Sequence, residues 1–280
     1  MNKFSSKDRL RAIISFILSV LICLGLFFTA TLADILIFSS PSFIRTCAEK
    51  SNYTEFAVSQ LTDELNDLAM PSGLPDDFFT DKINKKDFVS LFFTCLDNLT
   101  SGNKEYKLSV DKFKTEVYNL VSDYSKNEVG DFSSEVEKDI ERFSEECSNI
   151  YLSYINPSLT SYLFELLTSA RTYLILALVF SVVFTLGVGA FLFKVNNNGA
   201  FIKYCFASLC GASLTLGVIP AYILFADEIS KVSISSKSLY AITTTLAEAF
   251  LWVLIISAII LFVFSLVLIF LKIFNLIFRR

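Results

Sequence analysis

Four stretches of this chain run for more than twenty residues without a charge: 13–33, 173–193, 204–225 and 249–271. At about 1.5 Å per residue, 21 residues cover about 31 Å, the thickness of a bilayer's hydrocarbon core. Backbone amides in lipid must be paired within their own segment, so each stretch is read as a transmembrane helix. Composition agrees: 19% of residues are charged, 29 are Phe, and the mean hydropathy is +0.55. A typical soluble domain is about a quarter charged. The expected fold class is an all-α membrane protein with four transmembrane helices. An α-helical extracytoplasmic bundle is inserted between spans one and two.

Orientation follows from Lys and Arg beside the spans. The N-terminal tail (Lys3, Lys7, Arg9, Arg11), the turn between spans two and three (Lys194, Lys203) and the C-terminal end (Lys272, Arg279, Arg280) hold nine basic residues. Asp8 is the one acid among them, a balance of +8, against −12 for the rest of the chain. This predicts a cytoplasmic tail over 1–12, span one and its exit over 13–38, an outside domain over 39–170, and spans two to four over 171–280. Both termini are then cytoplasmic, in a multi-pass protein of the plasma membrane. Thr31-Leu32-Ala33 is a passable leader-cleavage pattern. The apolar run before it exceeds the 7–15 residues usual for a leader, which favours an uncleaved anchor.

Residues 39–170 are long enough for an independent domain. Their apolar positions recur at helical spacing. The runs are Tyr53, Phe56, Leu61, Leu65, Leu68; Phe88, Phe92, Cys95, Leu96, Leu99; Val110, Phe113, Val117, Leu120, Val121, Tyr124; and Phe132, Val136, Ile140, Phe143, Cys147, Ile150, Tyr154. Each stripe needs a partner to bury it, so the runs are expected to pack as a small bundle. Pro71-Ser72-Gly73 reads as a stop, Ser109 and Ser133 as caps, and Asn156-Pro157-Ser158 as a break before span two.

Chemistry is sparse. The chain has no His, which rules out Ser-His-Asp and Cys-His nucleophiles and His-ligated zinc, haem or copper. It has no P-loop, GxGxxG or CxxC pattern. No enzyme activity, cofactor or metal site is expected, and no catalytic residue is assigned. Of six cysteines, Cys47, Cys95 and Cys147 lie outside the spans. Cys95 and Cys147 sit on the apolar faces of their helices, where buried reduced thiols are the leading expectation, with one disulfide between two of the three as the alternative that an extracytoplasmic setting permits. The carboxylate cluster Glu135, Glu137, Asp139, Glu141, Glu145 and Glu146 interleaves with apolar residues at helical period, which marks a solvated face.

Two constellations stand out in the spans. Asp34, Arg171 and Glu248 lie at the predicted outer boundary, where Arg171 could pair with Asp34, Glu248 or both in an ion-pair cluster, the alternative being that each side chain extends independently into the headgroups. Gly187, Ala207, Gly211, Gly217 and Ala221 are small residues that allow close helix packing, within the chain or in self-association.

The order of short basic tail, span, large helical domain and three closely spaced spans goes with two short stretches. These are Ser39-Ser40-Pro41-Ser42-Phe43 and Ser72-Gly73-Leu74-Pro75-Asp76-Asp77-Phe78-Phe79. Together they resemble a loose group of uncharacterised four-span integral membrane proteins of Gram-positive bacteria. The resemblance implies topology and location and carries no activity to particular residues. Permease subunits of the FtsX and MacB type share the span order. They couple to an ATPase through a segment that here would be only 194–203.

The functional expectation is a non-enzymatic membrane protein whose outside domain binds or senses something at the cell surface. Its partners are the lipid bilayer, a protein or envelope ligand and, as an alternative, a second copy of the chain; no nucleic acid is expected. The competing expectation is an accessory or permease-like subunit of a transport complex.

Overall fold

The computed structural model describes residues 6–103, 108–130, 133–156, 158–196 and 198–277. It is 86% helix, with no strand among the described residues. Among the described residues nine α-helices follow one another: α1 Ser6–Phe38, α2 Pro41–Lys50, α3 Tyr53–Ala69, α4 Lys85–Ser101, α5 Asp111–Val129, α6 Ser134–Ile155, α7 Ser158–Val195, α8 Asn198–Phe225 and α9 Lys237–Ile277. Four helical stretches among the described residues are long and apolar enough to cross a membrane: Arg9–Phe38, Phe164–Val195, Gly199–Phe225 and Lys237–Phe274. All exceed the uncharged runs, because polar residues at their ends continue the helix.

The chain divides into two compact units. The first comprises Met1–Ser40, Ala170–Val232 and Leu246–Arg280. Here α1 packs on α8, and hydroxyls tie the helices together. Ser19 and Ser208 share a hydrogen bond of 2.9 Å, and Ser208 also donates to the Ser19 carbonyl at 2.8 Å. On the α7 side, Ser181 shares one of 2.8 Å with Thr29 and donates to the Gly25 carbonyl at 3.2 Å. Ser213 donates to the Ala258 carbonyl of α9 at 2.8 Å. Within a bilayer there is no hydrophobic drive for helix association, and such bonds and close contacts are what would carry it. Leu18, Ile22 and Leu192 form a small apolar core beside them.

The second unit comprises Pro41–Ser169 and Ser233–Thr245. It is a bundle built on α2 to α6 with its own core. Tyr53, Phe79, Phe88, Ile44, Leu61, Leu65 and Ile155 are among its fully buried side chains. Tyr53 stacks on Phe92 at 4.7 Å and donates from its hydroxyl to the Tyr154 carbonyl at 2.6 Å. The four expected helices are present as α3 to α6. A short 3₁₀ turn, Met70–Ser72, ends α3, and Gly73 follows at φ 79°, a left-handed conformation that glycine adopts without penalty.

Some details depart from the sequence reading. Helix α2 was not marked by it. Phe56 (43% exposed) and Val136 (39%) face outward, and Ala57 and Val58 take the buried positions of α3. Ser133 occupies the N-cap of α6 in extended backbone, but its hydroxyl makes no capping bond. Ser109 does accept from the Asp111 amide, at 3.4 Å. Phe132 and Pro157 lie outside the described residues. The residues 233–245 pack with the bundle, although they precede span four in sequence. All six cysteines are free, so the disulfide alternative is not realised.

Candidate functional site

The bundle carries a concave site of about 250 Å³ between α4 and α5, floored by α6. Helix α4 opens with Asn84, whose side-chain oxygen accepts from the amides of Lys86 at 3.1 Å and Asp87 at 3.4 Å. That cap fixes the first turn and puts Asp87, Ser90, Leu91 and Thr94 along one wall, a helical period of three and four. Lys112, Phe113 and Glu116 of α5 form the facing wall.

Tyr151 of α6 is the floor. Its ring stacks on Phe113 at 4.0 Å between centroids and meets Phe88 edge-on at 5.6 Å. Burial, and then the carboxylates of Asp87 and Glu116, push its phenol up to about 12. The phenol is therefore a neutral hydroxyl in an acidic setting. Lys112 Nζ hydrogen-bonds Asp87 and lies 3.8 Å from Glu116. That hydrogen bond, more than any other influence, holds the Lys112 ammonium above its ordinary range. The site thus combines an aromatic floor, two carboxylates and one ammonium, with Asn84, Ser90, Thr94 and Ser109 as neutral hydrogen-bonding groups. A wider groove of about 590 Å³ is edged by Glu55, Asp63, Asp81 and Lys85.

The boundary cluster does not assemble. Asp34 is 1% exposed, and its Oδ1 accepts from the Ser257 hydroxyl of α9 at 2.6 Å. Arg171 and Glu248 are exposed, and neither takes part in an ion pair among the described residues. Asp34 turns instead to the Ser257 hydroxyl of α9, and the Arg171 side chain stands exposed.

The small residues divide. A Cβ on Gly211 would meet Cys23 Sγ at 2.9 Å, and one on Gly217 would meet Ala258 Cβ at 2.9 Å. Gly187 has open space around it, Ala207 is exposed and Ala221 half-buried. Gly25, not singled out by the sequence, abuts Thr185 so closely that a Cβ would overlap its hydroxyl.

Residues of the cleft escaped the sequence reading because Asp87, Lys112 and Tyr151 come from three helices. Only the Lys112–Glu116 spacing of four was a local signal. Ser257 was not singled out: it is one of two serines, with Ser265, in an otherwise apolar run. Among the described residues, no three His, Cys, Asp or Glu side chains are placed to hold a metal ion. No protein-family model matches the chain, and neither a curated protein nor a solved structure matches it.

Proposed function

We propose that this is a multi-pass plasma-membrane protein whose helical bundle lies outside the cell and binds a ligand there, without catalysing a reaction. One observation carries the reading: the cleft between α4 and α5 is a preformed concave site with an aromatic floor and a few convergent polar groups, the usual anatomy of a ligand site. The outside placement rests on the basic residues at 3–11, 194–203 and 272–280, which mark the cytoplasmic side. Both termini are then cytoplasmic and residues 39–170 outside. Because α7 ends at Val195 and α8 begins at Asn198, no coupling element of any size fits between them. That favours the binding reading over the transport-subunit reading.

Single cysteines at Ser101 and Gly199 test the placement, on a background with the native cysteines replaced. Both positions are exposed, and a side chain at Gly199 meets nothing. An impermeant thiol reagent should label Ser101→Cys in intact cells and Gly199→Cys only after lysis. The reverse pattern would move the bundle into the cytoplasm.

A further inference from the structure

We propose that the cleft takes a small organic cation: a primary ammonium seated between Asp87 and Glu116, where Lys112 Nζ now sits, with an apolar body over Phe113 and Tyr151. The inference rests on reading the bundle as a ligand-binding domain and names the class of ligand.

Three features converge on this chemistry. The charged groups lining the cleft are Asp87, Glu116 and Lys112, a net charge of −1. Lys112 is 71% exposed in its side chain and contacts Asp87 directly while standing 3.8 Å from Glu116. It marks where an ammonium is held, and it is free to swing into solvent when another arrives. An anionic ligand would instead face two carboxylates and a phenol that stays neutral. The floor is Phe113 and Tyr151, stacked on each other at 4.0 Å, which lines the cleft with aromatic carbon able to cover an apolar group. The surroundings help: the segment Pro41–Ser169 carries 23 acidic and 12 basic residues, a balance of −11 that raises the local concentration of cations.

Size narrows the class. At about 250 Å³ the site falls just below the range of about 300–1,000 Å³ usual for drug-sized ligands, which suits a small amine. Phenethylammonium is such a probe, and 2-phenylethanol is its neutral counterpart of the same shape.

The test is calorimetric titration of the full chain in nanodiscs at low ionic strength. Phenethylammonium should bind saturably, and 2-phenylethanol about tenfold or more weakly. Asp87→Asn and Glu116→Gln should each weaken binding about tenfold, by loss of a charge-assisted hydrogen bond. Lys112→Ala should tighten it several-fold, because the competing ammonium is gone; a merely structural Lys112 would give no change or a loss. Lys112→Gln serves if the alanine variant misfolds, as judged by circular dichroism. Absence of saturable binding to 10 mM in both the wild-type and the Lys112 variant would overturn the inference. So would equal affinity for the alcohol. Nanodiscs expose both faces of the protein, so binding is read independently of orientation. Failed binding with the expected labelling pattern ends this inference alone, and inverted labelling with intact binding ends only the outside placement.

Discussion

Ser257 donates its hydroxyl to Asp34 at 2.6 Å, joining the middle of α9 to the end of α1. The other carboxylate oxygen, Oδ2, is the buried side-chain oxygen or nitrogen that finds no partner among the described residues. The same two helices meet again where Phe38 packs edge-on against Phe250 at 5.0 Å. Removing the one donor leaves both oxygens buried and unpaired, which costs about 1–3 kcal/mol. Ser257→Ala should therefore lower the melting temperature in detergent by several degrees. Asp34→Ala with Ser257→Ala should cost less than the two single changes added, since the partners act as a pair. Strict additivity would show that the bond contributes nothing.

The glycines should rank by what stands opposite them. Gly25→Ala collides with Thr185, and Gly217→Ala presses on Ala258, so each should cost about 1–3 kcal/mol through overpacking. Gly187→Ala meets nothing and should be neutral or gain up to about 1 kcal/mol from helix propensity. Thermal melts in one detergent give the order. A Gly187→Ala variant as damaged as Gly25→Ala would point to a contact outside this chain, such as a second copy.

The sequence was most informative where one physical rule acts alone. Uncharged length identified the four apolar helices, and helical periodicity identified α3 to α6. It was weakest where partners come from distant segments. Asp34 was marked as a boundary charge, but its partner Ser257 lies 223 residues away, and nothing local distinguishes it from Ser265. Arg171 looked equally apt by chemistry, and only the direction of the side chains separates the two. The buried stripe of α3 was read one position off at Phe56, because a large apolar side chain and a small one beside it give the same period. Helix α2 has only ten residues, too few for periodicity to register.

Gln60 of α3 caps α9. Its side-chain oxygen accepts from the Ser238 amide at 2.9 Å and from the Ser236 hydroxyl at 3.2 Å. Ser236 in turn accepts from the Leu239 amide at 3.3 Å. Together these satisfy amides that the first turn of α9 leaves unpaired. Gln60→Leu removes the acceptor and should cost about 1–2 kcal/mol, the range of a lost cap. Hydrogen exchange at residues 233–245 should speed up, with little change in α5. Gln60→Glu keeps an acceptor and should retain most of the protection. Unchanged exchange in Gln60→Leu would refute the capping role.

Alkaline pH should loosen the bundle. Burial raises the thiols of Cys95, to about 11, and Cys147, to about 12, and it raises Cys47 as well. The phenols of Tyr53 and Tyr154 lie above their ordinary range, both mainly through burial, with a hydrogen bond to Glu64 adding to it at Tyr154. For each group the folded state holds its proton longer than the unfolded chain, which gives thiol protons up near 9. The stabilisation is complete below that pH and is lost as pH climbs towards the folded values. Each proton lost only from the unfolded chain costs about 1.4 kcal/mol per pH unit. Denaturation midpoints of the full chain in detergent, followed by circular dichroism, should be level from pH 7 to about 8.5 and then fall. The double variant Cys95→Ala, Cys147→Ala should start lower, from the cavities left behind, and fall less steeply. A wild-type midpoint that stays level to pH 11 would show that these thiols and phenols ionise as freely in the bundle as in water.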